Sequence, residues 1–339
     1  LRFSRPVRVG DTLTVTATVL SKDDARKRVE LDCQVSNQHG ERVLSGVAKV
    51  LAPTEKVRQP RTPLPQLRLF DPEARLKAWV AQAAGTPAVH CGVVHPCHPG
   101  VLEGVLRAAH AGLIVPQLIG PPERIHAAAE QAGLNLQGVE IIEAPHSDAA
   151  AAVAAQRAAD GRLEALIAGS LALSELLDAV RAQTALHTRR RLSHVFRLDV
   201  PGHARPLWLT DAMLHAAPTL ADKADIARNA IDLLRVMGVE QPRVAVLSAS
   251  EQVDAAVPST IDAAALCKMV DAGQIGGGLI DGPLAFDSAV SPASAQGKHP
   301  RSAVAGQAGV LLAPDMESGS MLARQLLYLA GATACGVIV

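Results

Sequence analysis

A chain of 339 residues has room for about two domains and a substantial buried core. Hydrophobic residues make up 48% and charged residues 19%, and 33 Lys and Arg balance 33 Asp and Glu, which excludes a disordered polyampholyte and the overall basic field of a nucleic-acid binder. Four Phe, two Trp and one Tyr supply few platforms for base stacking or for an aromatic interface, so the core is predicted to be Ala, Leu and Val.

In chain order, Thr12 to Leu20, Arg28 to Val35 and Arg42 to Leu51 alternate apolar and polar residues with period two, separated by Lys22-Asp23-Asp24 and Asn37-Gln38-His39-Gly40. This is the pattern of an antiparallel meander, which is marginal alone without a cover for its apolar face. Pro53, Pro60, Pro63 and Pro65 predict a stiff connector over residues 53–66, placing a boundary between a domain at 1–52 and one at 67–339.

From Asp71 onward short apolar runs alternate with helical patterns. Strands are expected at Ala88–Val94, Leu113–Leu118, Val139–Ile142, Ala165–Ala168, Leu192–Leu198, Leu207–Thr210, Val244–Leu247, Leu279–Ile280 and Val310–Leu312. Helices are expected at Pro72–Ala83, Val101–Ala111, Glu123–Ala132, Asp148–Asp160, Leu173–Gln183, Leu220–Met237, Thr260–Ala272 and Met321–Ala330. The alternation is that of an α/β domain, a mostly parallel sheet with helices on both faces. Ligands then sit beyond the carboxyl ends of the strands. Both termini read as cut, because Leu1 opens inside a turn and strand and the last five residues form an apolar run without a polar tail.

Five cysteines, Cys33, Cys91, Cys97, Cys267 and Cys335, form no paired framework, which predicts a reducing compartment, the cytoplasm. No apolar run reaches the roughly 18 residues of a membrane helix, so no membrane partner is expected. His90, Cys91, His95, Cys97 and His98 cluster, but their spacing matches no standard ligand pair and a turn is the expected role; no metal is assigned. Gly276-Gly277-Gly278 lacks a following Gly-Lys-Ser/Thr, so it reads as a close-packed bend and not as a nucleotide cradle.

The strand exits carry hydroxyls, glycines and carboxylates: Gly169-Ser170, Thr210-Asp211, Ser248, Asp281-Gly282-Pro283, and Pro314-Asp315 with Ser318-Gly319-Ser320. Such residues before a helix present free N–H groups to an anion, although each is also an ordinary helix cap.

Several exits lie in longer strings: Leu209-Thr210-Asp211-Ala212, Ala224-Asp225-Ile226-Ala227-Arg228-Asn229-Ala230, Val244-Ala245-Val246-Leu247-Ser248, Asp281-Gly282-Pro283-Leu284-Ala285-Phe286-Asp287, and Val304-Ala305-Gly306 with Pro314-Asp315. Together they resemble the phosphate acetyl/butyryltransferase family from about Ala88 to the last residue, with an isocitrate dehydrogenase-like fold. Residues 1–52, through Arg5-Pro6-Val7-Arg8-Val9-Gly10-Asp11, resemble part of a MaoC-like hotdog hydratase, and the order is similar to bifunctional enoyl-CoA hydratase/phosphate acetyltransferase proteins.

The resemblance implies acyl transfer between acyl-CoA, acetyl or butyryl, and inorganic phosphate. CoA and phosphate are then substrates, with no permanently bound cofactor, no nucleic-acid partner and a homo-oligomeric assembly. It implies substrate-binding roles for Gly169, Ser170, Thr210, Asp211, Ser248, Asp287, Gly306, Asp315, Ser318 and Gly319. Donors for phosphoryl oxygens and for the tetrahedral oxyanion would come from the hydroxyls and from N–H groups near Gly306 and Gly319.

The sequence departs from the family pattern. The family's Lys-Gly-Ser-Leu-His-Thr stands here as Ala168-Gly169-Ser170-Leu171-Ala172-Leu173, and two family arginines align with Asp178 and His187, with Arg181 one turn on as a substitute. The family's closing Ser-Arg and Asp are expected beyond Val339 and the hydratase Asp and His before Leu1, so no catalytic residue is assigned. The alternative is a degenerate, non-catalytic CoA-binding or assembly module.

Overall fold

The computed structural model describes residues 1–53, 55, 74–83 and 85–339. The chain divides into two compact units, Leu1–Arg68 and Leu69–Val339. Most of the expected 53–66 connector, and the helix start expected at Pro72, lie outside the described residues.

In the first unit β1 (Arg2–Phe3), β2 (Thr14–Asp23), β3 (Arg28–Ser36) and β4 (Arg42–Leu51) form one sheet in the order β1-β4-β3-β2, every pair antiparallel. Val15, Val19, Val47 and Leu51 stay half or more exposed, so this sheet keeps apolar side chains in solvent.

The second unit alternates helix and strand. Its first half runs α1 (Ala74–Ala83), β5 (Val89–Val94), α2 (Pro99–His110), β6 (Ile114–Gly120), α3 (Pro122–Gln131), β7 (Glu140–Glu143), α4 (Ser147–Ala159), β8 (Ala165–Ala168) and α5 (Leu173–Ala182). Its second half runs β9 (His194–Asp199), β10 (Leu207–Thr210), α6 (Leu220–Val236), β11 (Arg243–Leu247), α7 (Pro258–Asp271), β12 (Leu279–Leu284), α8 (Phe286–Val290), α9 (Pro292–Ala295), β13 (Val310–Leu312), α10 (Met316–Tyr328) and β14 (Thr333–Ile338).

The α/β class is as the periodicity predicts, but the strands divide between two sheets. One is wholly parallel, in the order β7-β6-β5-β8. The other runs β12-β11-β13-β10-β9-β14, with the first four strands parallel and β9 antiparallel to both of its neighbours. Sequence periodicity reports which face of a strand is buried, not which strands pair, so the partition was invisible in it.

Successive strand residues face opposite layers, and the two cores of each sheet follow from that. Val93 and Leu118 pack with Leu102, Val105, Ile125 and Ala128 of α2 and α3. Their neighbours Val94 and Ile119 pack against Ala150, Ala151 and Ala154 of α4 and Leu176 of α5. The alanine-rich run is therefore an ordinary helix whose small side chains let it lie close to the sheet. In the six-stranded sheet Val244, Val246, Val310 and Leu312 meet α6 and α7, while Ala245, Leu247 and Leu311 meet the α8 and α10 side.

Local signals set the helix starts. α6 opens on a capping box in which the Thr219 side chain accepts from the Asp222 N–H and the Asp222 carboxylate accepts from the Thr219 N–H, satisfying two otherwise orphan donors. α2 opens on His98, whose ring accepts from the Gly100 N–H. His95 contacts the Ser170 carbonyl through Nδ1 at 2.8 Å, and burial pushes the Cys91 thiol up to about 11. The His/Cys cluster thus has separate structural duties.

Leu266 of α7 is fully buried in the layer beneath β11 and β13. Leu266→Ala is expected to lower unfolding free energy by ~2–5 kcal/mol and Leu266→Met by less than ~1.5 kcal/mol, measured by urea titration. Equal losses for the two variants would contradict the packing described.

Candidate active site

Because β12, β11, β13 and β10 are adjacent and parallel, their carboxyl ends lie on one rim. The β10 exit is the most elaborated. Thr210 is fully buried and donates its hydroxyl to the His194 carbonyl at 2.8 Å. Asp211 is 4% exposed; its Oδ1 accepts from the N–H groups of Met213 at 2.8 Å and Leu214 at 3.0 Å, and its Oδ2 lies 2.7 Å from His215 Nδ1. A carboxylate held by two backbone donors fixes the loop, and its second oxygen orients the imidazole so that Nε2 is left for other contacts.

At the β11 exit Ser248 Oγ lies 2.9 Å from Ser259 Oγ at the head of α7. Beyond β12, Asp287 and Ser288 meet Lys298 at 3.7 Å and 3.3 Å, and Lys298 also lies 3.6 Å from Glu251. A hydrogen bond from Ser288, followed by His299 and Lys298, holds the Glu251 carboxyl below its ordinary range. Asp287 therefore enters an ion-pair cluster bridging the β11 and β12 loops.

Three expectations are corrected by local geometry. Ser318 and Gly319 do not precede the last helix: Asp315 is its N-cap and accepts from the Ser318 N–H at 2.8 Å and the Ser318 hydroxyl at 2.9 Å, so the helix begins at Met316 and both residues lie within its first turn. The Gly319 N–H donates to the Asp315 carbonyl and the Gly306 N–H to the Ser288 carbonyl at 2.7 Å, so neither is a spare donor for a ligand. Asp281 and Gly282 lie inside β12, not beyond it. Glycine at 319 is required by close approach, since a Cβ there would stand 2.9 Å from the Asp211 carbonyl oxygen.

Gly169 and Ser170 belong to the other sheet. They follow β8, and their N–H groups donate to the Val94 and His95 carbonyls at 2.9 Å and 2.8 Å. A Cβ on Gly169 would stand 2.5 Å from the Val94 oxygen, so this glycine too serves contact between strand exits.

Two neighbouring hollows lie between the sheets. An apolar groove of about 580 Å³ is lined by Ala165–Ala168, by Leu173, Leu176 and Val180 of α5, and by His194, Met213 and Val337. It shares Val180 and Leu192 with a basic mouth of about 230 Å³ formed by Arg181, His187, Arg190, Arg191 and His215. The Asp211 to His215 loop supplies Met213 to the groove and His215 to the mouth. Arg190 pairs with Asp232 at 2.5 Å, Arg191 with Asp222 at 2.5 Å and Arg181 with Asp178 at 3.2 Å. Burial opposes ionisation of Asp222, but the Thr219 bonds and Arg191 outweigh it and hold its carboxyl low.

Among the site residues read from the sequence, Asp211 touches this cleft's lining through His215 and Thr210 touches it through the His194 carbonyl. Ser248, Asp287, Asp315 and Ser318 lie on neighbouring exits of the six-stranded sheet. Arg190, Arg191 and His215 were missed; the Arg189-Arg190-Arg191 run between a helix and a strand was the available signal.

His194 is 4% exposed and its Nδ1 has no hydrogen-bond partner among the described residues. Burial pushes its pKa below 6.5, opposed in part by Asp211. A folded pKa below the unfolded one leaves stability intact above about pH 6.5 and removes it as the pH falls and the unfolded chain takes up the proton. Urea unfolding between about pH 7 and pH 5 is expected to show this loss, and His194→Gln to remove that part of it; an unchanged pH slope in the variant would refute the assignment.

Residues 148–339 match the family model described as "Phosphate acetyl/butaryl transferase". The chain is similar to a phosphate acetyltransferase of Rhizobium meliloti, 48% identical over 260 residues, covering 76% of this chain and 82% of the relative. It is also similar to a phosphate butyryltransferase of Clostridium acetobutylicum, 33% identical over 240 residues, covering 70% and 80% respectively. A branched-chain phosphotransacylase from Enterococcus faecalis V583 shares the fold with a TM-score of 0.64 at 23% identity, over 74% of this chain and 88% of that one. With more than half of its length matched by the family model and 48% identity to a relative over 82% of that relative's length, the chain belongs to the phosphate acetyl/butyryl transferase family.

Proposed function

We infer that this protein transfers an acyl group between CoA and inorganic phosphate, forming acyl phosphate and CoA thiol in one direction and a thioester in the other. The observation that carries the reading is the pair of neighbouring hollows, an apolar groove that shares Val180 and Leu192 with an arginine-lined mouth, in a chain whose relatives bear that activity in their names. An acyl-CoA is itself such a molecule, apolar at the thioester end and polyanionic at the other.

In this reading the groove takes the acyl and pantetheine portion, and Arg181, Arg190 and Arg191 take phosphoryl oxygens through the donors their carboxylate partners leave over. His215, oriented by Asp211 at 2.7 Å, holds or receives the proton of the CoA thiol. Acetyl is the favoured acyl group, on the higher identity to an acetyltransferase; a butyryl chain differs by two methylenes, each worth about 1–3 kcal/mol in a fitted pocket.

The first unit's antiparallel meander supports the hotdog-type reading of residues 1–52 and hence a fusion of the two activities in one protein. No residue of that stretch matches the hydratase Asp and His, so crotonyl-CoA is expected to turn over no faster than in a heat-treated control. Five free cysteines support a reducing, cytoplasmic setting. No helix of the described residues is long and apolar enough to cross a membrane.

Phosphate-dependent thiol release from acetyl-CoA tests the main reading. Arg190→Gln and Arg181→Gln are each expected to raise KM for acetyl-CoA about 10–100-fold, the equivalent of one charge-assisted hydrogen bond of ~1.5–3 kcal/mol, with a smaller change in kcat. The second reading, a CoA-binding module without turnover, is favoured by the pairing of Arg181 with Asp178, which spends the substitute arginine. CoA binding with no phosphate-dependent thiol release would select it.

A further inference from the structure

A third cleft lies at the opposite end of the six-stranded sheet, where β10, β11 and β13 begin. It encloses about 300 Å³ and is lined by Trp79, Arg197, Arg205, Trp208, Met237 and Arg243, among others. Arg243 opens β11 and Ser248 follows its last residue, so at about 3.3 Å per residue the cleft stands roughly 16 Å from the reaction rim.

Its wall is a stack of rings and a cation. The Arg197 guanidinium lies 4.1 Å from the Trp79 ring centroid and 6.0 Å from that of Trp208, and the two indoles meet edge to face with centroids 6.5 Å apart. Asp199, at 3.3 Å, answers the charge of Arg197 and also lies 3.6 Å from Arg75. The fold therefore explains Arg197 as a structural cation, with one exception. Its side chain is 9% exposed, yet its Nε has no hydrogen-bond partner among the described residues, and the same is true of the buried Nε of Arg243.

The remaining charges are unanswered. Arg243 has the neutral Gln307 amide oxygen at 2.7 Å, Arg205 is exposed with no ion pair among the described residues, and none of the described residues lining the cleft is acidic. The positive charge of Arg243 and Arg205 and the indole faces beside apolar Leu234, Met237 and Val239 describe a receptor for one chemistry.

We propose that this cleft is a second ligand site, separate from the acyl-transfer cleft, for a small planar organic anion: a ring against the Trp79–Arg197–Trp208 stack and a carboxylate or phosphate on Arg243 and Arg205. The volume is at the small end for ligand pockets and matches a single ring with one acidic group better than a whole coenzyme.

Trp79 and Trp208 are the only tryptophans in the chain, so indole fluorescence reports on this cleft alone. The full chain would be titrated with phenyl phosphate and with benzoate, which separates the phosphate from the carboxylate form, and with benzyl alcohol and inorganic phosphate as half-ligands. The expected result is a saturable fluorescence change for at least one ring anion, with each half-ligand at least about tenfold weaker. Arg243→Gln and Arg205→Gln, both at the mouth and outside the stack, are expected to weaken the ring anion about tenfold or more, and Arg190→Gln in the acyl-transfer mouth to leave it unchanged. No saturable change up to about 10 mM, an equal response to benzyl alcohol, or sensitivity to Arg190→Gln in place of Arg243→Gln would overturn the proposal.

Discussion

The cleft between the two sheets of the second unit depends on one buried carboxylate. Asp211 stands where β10 ends, and its two oxygens collect two backbone N–H groups and one imidazole. A charged group at that depth is tolerated only because each oxygen has donors. The loop it ties down then has no freedom to place its side chains elsewhere: Met213 goes to the apolar groove and His215 to the basic mouth. Close packing reinforces the arrangement from the other side, where Gly319 admits the first turn of α10 against the Asp211 carbonyl.

Charge is handled differently at the two ends of the six-stranded sheet. Around the basic mouth Arg181, Arg190 and Arg191 each have a carboxylate, which positions long side chains without abolishing their capacity for further hydrogen bonds, since a guanidinium carries five donors. At the opposite end one carboxylate, Asp199, answers Arg197 and Arg75, and Arg243 and Arg205 are left over. The near-zero formal charge of the whole chain hides both concentrations, because a sum over residues carries no information about where they meet.

The elements themselves were largely legible. The strands at Leu207–Thr210 and Val310–Leu312 coincide with those predicted, because a short apolar run bounded by turn residues has little else it can be. The last helix was misplaced by five residues at its start, since Ser318-Gly319-Ser320 reads as loop while the Asp315 cap that converts it to helix acts through a single side-chain oxygen. Gly306 and Gly319 each mark a close approach, to Pro292 and to the Asp211 carbonyl, while their N–H groups are bonded elsewhere, to the Ser288 and Asp315 carbonyls.

Residue types and their order by themselves determined the α/β class, the change of architecture after the proline-rich stretch and the family resemblance, because hydrophobic period, capping chemistry and motif strings are properties of neighbouring residues. Only the tertiary structure decided that the strands form two sheets, that α5 and β14 close a groove between them, and that Arg190 and Arg191 share a mouth with His215 of a different loop. Pairing of distant strands and convergence of side chains are set by packing over the whole chain, and no local pattern records them.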